Sequence, residues 1–164
     1  MAIEIKAPGK YPLGPRPVIF LGGVIDNGSA TDWQADIVKK LDCLNVVLLN
    51  PRRSDWDPNW KQEISNPMFK AQVEWELRGQ EQADLNIYVF APDDTTSTVS
   101  KAPITLLELG LYAPTNHVMV CCPTGYYRKG NVDIVCERYV IPVFETLDEL
   151  AADVIKRFHV HRVS

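Results

Sequence analysis

Five short apolar runs, each followed by a stretch with helical spacing, set the strongest limit on how this chain folds. The runs are Val18 to Leu21, Asn45 to Leu49, Leu85 to Phe90, Val118 to Cys122 and Val140 to Val143. They are continuous rather than alternating, which marks strands buried on both faces. The first stops at Gly22-Gly23 and the second is broken by Asn50-Pro51. Between them the apolar positions switch to helical periodicity. Trp33, Ile37, Val38 and Leu41 predict a helix to about Asp42, and Phe69, Val73 and Leu77 one to about Gln82. Ile104 to about Tyr112 reads as a third, Val132 to Arg138 as a short fourth, and Leu147 to Phe158 as a fifth. Thr31 to Gln34 and Thr146 to Glu149 have capping-box spacing, and Asn66-Pro67 is an N-cap followed by an N1 proline. A strand–helix unit repeated five times predicts an α/β chain. The expected architecture is a single-domain flavodoxin-like or Rossmann-like three-layer sandwich with a five-stranded parallel sheet. Residues 1–17, with Pro8, Pro12, Pro15 and Pro17, read as an extended Pro-rich N-terminal arm, and residues 18–164 as the α/β domain.

The bulk properties narrow the partners. A chain of 164 residues with net charge −4 and no basic stripe is a poor match for a nucleic-acid polymer. No apolar run reaches the ~18–20 residues of a membrane span, and Met1 to Lys10 lacks an apolar leader, so a cytoplasmic location is expected. Cys43, Cys121, Cys122 and Cys136 have no CxxC spacing, which argues for reduced thiols rather than a zinc site or a disulfide framework. No metal and no cofactor are expected.

In open α/β sheets ligands bind beyond the carboxyl ends of the strands. Here those ends are Gly22-Gly23, Asn50 to Arg53, Ala91 to Asp93 and Pro123-Thr124. The glycines allow close backbone approach, whether of a ligand or of packed neighbours. Asp26 either binds a sugar hydroxyl or is solvated. In the segment Asn50 to Asp57, arginines either read an anion or pin a long loop. Glu108 stands inside an apolar helical stretch, where a carboxylate is costly without a partner. It is either catalytic, as an ionised nucleophile near a helix N-terminus, or a helix-edge group facing solvent. Glu76 is either an ordinary surface glutamate or reaches the sheet edge.

Several of these segments, in order, resemble the nucleoside 2-deoxyribosyltransferase-like family. They are Phe20 to Gly23, Asp32 to Gln34, Asn50 to Arg53, Asp55-Trp56, Gln72 to Glu76, Ala83-Asp84 and Ile104 to Gly110. The resemblance covers roughly Val18 to Val143, and the Glu-Leu-Gly and Asn-Pro-Arg-Arg elements are its most specific parts. It implies a flavodoxin-like subunit in a homo-oligomer of at least two copies with shared sites, acting on nucleosides and nucleobases in nucleotide salvage. It implies Glu108 as the nucleophile of a double displacement and Glu76 as the acidic residue at the nucleobase. It also implies that Asn131 is lent to the sugar by a neighbouring subunit. Gly22, Gly23, Asp26, Trp33, Asn50, Arg52, Trp56, Asp84 and Asp93 complete the expected binding set, with Trp33 or Trp56 stacking on the base. One departure stands out. Where members carry an aspartate six residues before the nucleophile, this chain has Ala102, which leaves base handling to Glu76 or to Asp93 or Asp94. Hydrolysis at the same glutamate and non-catalytic nucleotide binding are the alternatives.

Overall fold

The structure, a computed structural model, describes residues 1–11, 14–25, 32–91 and 101–159. Its strands are β1 (Ile3–Lys6), β2 (Val18–Gly23), β3 (Val47–Asn50), β4 (Leu85–Val89), β5 (Val118–Cys121) and β6 (Val143–Phe144). Its helices are α1 (Trp33–Lys40), α2 (Pro67–Gln82), α3 (Pro103–Tyr112), α4 (Lys129–Arg138) and α5 (Leu147–His159). All the strands pair in parallel in one sheet, in the order β1-β3-β2-β4-β5-β6. Without β1 this is the flavodoxin-like order, with its switch point between β2 and β4.

Strand alternation sorts the core into two faces. Ile19, Leu21, Ile87, Val89, Met119 and Cys121 pack with residues of α1 and α5. Phe20 and Leu49 pack with Trp75 of α2, while Tyr88, Val118 and Val120 pack with residues of α3 and α4. With both faces covered, the central strands carry apolar residues at nearly every position, which is why they read as continuous runs. Among the described residues, no helix is long and apolar enough to cross a membrane.

The sheet has six strands, one more than expected. The extra one lies within the Pro-rich arm, where Ile3-Glu4-Ile5-Lys6 alternates as an exposed edge strand does and pairs with β3. Short, half-polar and beside prolines, it carries no continuous apolar run. The arm is then fastened down. Asn50 Nδ2 donates to Glu4 Oε1 at 2.7 Å, Trp75 Nε1 donates to the Gly9 carbonyl at 2.8 Å, and the Tyr11 ring stacks on Trp75 at 5.4 Å.

Two local expectations are corrected. The last strand is Val143–Phe144 rather than Val140 to Val143, because the preceding residues finish α4. Val140 takes a left-handed φ of 56°, and the Ile141 amide closes back on the Cys136 carbonyl at 2.8 Å. The N-cap of α1 is Asp32, which accepts from the Ala35 amide at 3.0 Å, while the Gln34 side chain turns to Arg52 instead of back to the helix start. Thr31 lies outside the described residues. The other two caps form as expected. Asn66 accepts from Met68 and Phe69 amides, and Thr146 and Glu149 cap each other reciprocally.

Deleting residues 2–11 uncovers the β3 edge and strands the buried Asn50 amide and the Trp75 indole N–H. The melting temperature should fall by on the order of 10 °C, measured by calorimetry. An unchanged midpoint would show that the arm adds nothing to the sheet.

Candidate active site

The α2 helix presents Gln72, Glu76 and Gln80 four residues apart, so they line one helical face. Each interacts with a different part of the fold. Gln72 Nε2 donates to Glu76 Oε1 at 2.7 Å and to the Pro51 carbonyl at 3.1 Å. Gln72 Oε1 accepts from Arg53 Nη1 at 3.2 Å. Arg53 is itself fixed by a bidentate pair with Asp55, both contacts 2.7 Å, and lies over the Trp60 ring at 5.1 Å. At the other end, Gln80 Nε2 donates to Glu108 Oε1 at 3.0 Å, and the Tyr88 hydroxyl donates to Gln80 Oε1 at 2.5 Å.

Glu108 is thus not a helix-edge group in solvent; it is 7% exposed and faces α2 and β4. As the sixth residue of α3 it lies beyond the first turn, where the helix dipole acts most strongly. Burial wins over that dipole. It pushes the Glu108 carboxyl up to about 8, with the neighbouring Glu76 charge adding to the rise and the Gln80 hydrogen bond opposing it. Burial likewise raises Glu76 to about 7 against the Gln72 hydrogen bond. The two carboxyls therefore hold protons well above the ordinary carboxylate range and titrate as a pair.

The other expected residues divide by location. Gly22 adjoins Tyr88, and a Cβ there would lie 2.7 Å from the tyrosine Cδ1. Gly23 has φ of +152°, and its Cβ would lie 2.6 Å from the Val89 carbonyl oxygen and 2.7 Å from Trp33 Cζ2. The close approach these glycines allow is thus that of Tyr88, Val89 and Trp33. Trp33 belongs to the core, its indole N–H donating to the Val24 carbonyl at 2.9 Å. Asn50 shapes the turn after β3, accepting from the Arg52 amide at 2.9 Å. Arg52 reaches Gln34 and Asp32, so of the two arginines it is Arg53 that connects to Glu76 through Gln72. Trp56 packs edge-on to Trp60 at 5.1 Å. Asp84 is at the opposite, amino end of the sheet, where it accepts from the Val18 amide at 2.8 Å. Asn131 is exposed in the first turn of α4. Asp26 and Asp93 lie outside the described residues, as does Asp94.

Gln80 and Tyr88 were not singled out from the sequence, and Gln72 and Arg53 stood there only within their motifs. The four-residue spacing of Gln72, Glu76 and Gln80 was the available signal. Tyr88 was masked by its place in an apolar strand.

A flavodoxin-like α/β subunit with two amide-bonded carboxyls beside its switch point, Glu108 buried and Glu76 half-buried, defines an enzyme-like site. A family model described as nucleoside 2-deoxyribosyltransferase-like matches residues 16–126, a span that holds Glu76, Gln80, Tyr88 and Glu108. The chain belongs to that family. Membership points to glycosyl transfer on small nucleoside substrates. A search of curated proteins found no match.

Because both carboxyls are raised, the folded chain holds protons that the unfolded chain releases near 4.5. Stability is therefore lost as pH rises from about 4.5 toward 8. Glu108→Gln keeps an acceptor for Gln80 and removes one titration. Its melting temperature should exceed that of the unsubstituted chain by on the order of 5 °C at alkaline pH, with a smaller gap in mild acid. A gap that narrows as pH rises would contradict the assignment.

Proposed function

We propose that the protein transfers a 2-deoxyribosyl group between nucleobases through a covalent intermediate on Glu108. The observation that carries the reading is the interacting Glu76–Glu108 pair, Glu108 buried and Glu76 half-buried, lying within the span that the family model matches. The reactive state of the pair holds one proton, placed on Glu76. The ionised Glu108 oxygen then bonds to the anomeric carbon as the C–N glycosidic bond breaks, and the bonding electrons leave with the base. Glu76, raised to about 7 and thus able to carry a proton near neutrality, protonates that base. In the second half the incoming base attacks the anomeric carbon through a ring nitrogen. It gives its proton to Glu76, and Glu108 departs as a carboxylate. Two inversions retain the configuration.

Ala102 opens α3 where relatives carry an aspartate, so Glu76 is the base-handling acid in this reading. The same departure favours hydrolysis as the second reading, with water replacing the acceptor base. Asp26 and the Asn131 of a second copy hold the sugar hydroxyls, with Trp56 near the base. Ile104, Leu107 and Leu111 of α3 and Ile134 of α4 are each more than half exposed, an apolar surface suited to that second copy. Base exchange of this kind serves nucleotide salvage in the cytoplasm.

Incubation with deoxyinosine, with and without free adenine, tests the reading. Deoxyadenosine should form only when adenine is present. Glu108→Ala should lower the rate on the order of 10³-fold or more. Mixing that variant with Asn131→Ala should restore activity in hybrid oligomers. Hypoxanthine released equally without adenine would establish hydrolysis instead. No product from deoxyinosine, thymidine or a monophosphate would leave binding alone.

A further inference from the structure

Gln80 is 2% exposed and its amide is committed at every position that argues for an orientation. Its Nε2 donates to Glu108 Oε1 at 3.0 Å and to the Glu76 backbone carbonyl at 3.3 Å. Its Oε1 accepts the Tyr88 hydroxyl. Turning the amide over would set an oxygen against the Glu76 carbonyl with no proton between them, and against Glu108 whenever that carboxyl is ionised. The backbone is held as well, because Asn86 Nδ2 donates to the Gln80 carbonyl at 3.2 Å. Asn86 and Tyr88 are alternate residues of β4 and so point to the same face. Tyr88 in turn has its ring against the backbone of Gly22, where any side chain would collide with it.

We propose that Gln80 is a positioning residue for Glu108, locked by Tyr88 and Asn86 so that one amide N–H always meets Oε1 and leaves Oε2 as the attacking oxygen. The attacking role rests on the nucleophile reading above; the positioning of the carboxylate does not. A donor fixed on the carboxylate favours its charged form in a site where burial opposes it. The titratable groups facing Glu108 are Glu76 from α2, Tyr88 from β4 and Tyr112 from α3 itself. Of these, Glu76 raises the Glu108 carboxyl and Gln80 works against that rise. The glycine at 22, the tyrosine at 88 and the glutamine at 80 thus form one line of support from the sheet to the carboxylate.

The test is carboxyl carbon NMR of the full chain labelled in its glutamates, with the Glu108 resonance assigned by Glu108→Gln. Gln80→Leu keeps most of the side-chain volume and removes the donor. The Glu108 midpoint should move upward by about one to two pH units. Tyr88→Phe deletes one hydroxyl and keeps the ring against Gly22, so it should fold even where Gln80→Leu does not. It should move the midpoint in the same direction by less. In turnover, Gln80→Leu should lower kcat by about 10- to 100-fold and carry the acid limb of kcat/KM upward with the NMR midpoint. A folded variant whose Glu108 midpoint stays within a few tenths of the original would overturn the proposal. Midpoints that move as expected in a protein that turns over no nucleoside would keep the positioning role and remove the nucleophile.

Discussion

Two neighbouring carboxylates in one wall, one buried and one half-buried, repel each other and lose much of their hydration, so the pair persists only where protons or fixed donors share the charge. Glu76 and Glu108 receive both. Gln72 donates to the first and Gln80 to the second, and the raised carboxyls keep protons near neutrality. Much of the surrounding structure serves that arrangement. Arg53, itself clamped by Asp55, fixes Gln72 from the loop after β3, and Tyr88 fixes Gln80 from β4. An arginine has only donors to offer, so the Gln72 oxygen must face it and the amide must face Glu76.

The fold supplies the distances. Parallel pairing of β2 with β4 puts Gly22 level with Tyr88, and the missing side chain at 22 leaves room for the tyrosine ring. Strand alternation turns Asn86 and Tyr88 toward the α2 and α3 side, while Ile87 and Val89 go to the α1 and α5 side. The site therefore grows out of the helical layer beside the switch point, where α2 and α3 lie together. The long segment after Asn50 is ordered by the same network, through the Arg53–Asp55 pair and the Trp60 ring under the guanidinium.

Much of this was legible in the sequence, for reasons that differ by element. The four central strands and five helices follow from burial on both faces, which writes continuous apolar runs, and from caps such as Asn66-Pro67 and Thr146 to Glu149. Glu108 stood out because a charge in an apolar helix needs a partner. The identity of that partner was not legible, because Gln80 lies 28 residues away and only packing joins them. The edge strand Ile3–Lys6 was hidden by its polar alternation and its prolines, and the start of β6 by a left-handed Val140 that no local pattern announces. Arg52 and Arg53 are neighbours in sequence, yet their side chains go to different partners, Gln34 and Gln72, a distinction that only the folded loop makes.

The most direct measurement of the central claim is the mass of the intact protein quenched in acid during turnover of a 2'-deoxynucleoside, followed by peptide mapping. The account predicts an added deoxyribosyl group on the peptide that contains Pro103 to Tyr112, attached at Glu108. Continued base release with no adduct, or an adduct on any other residue, would contradict it.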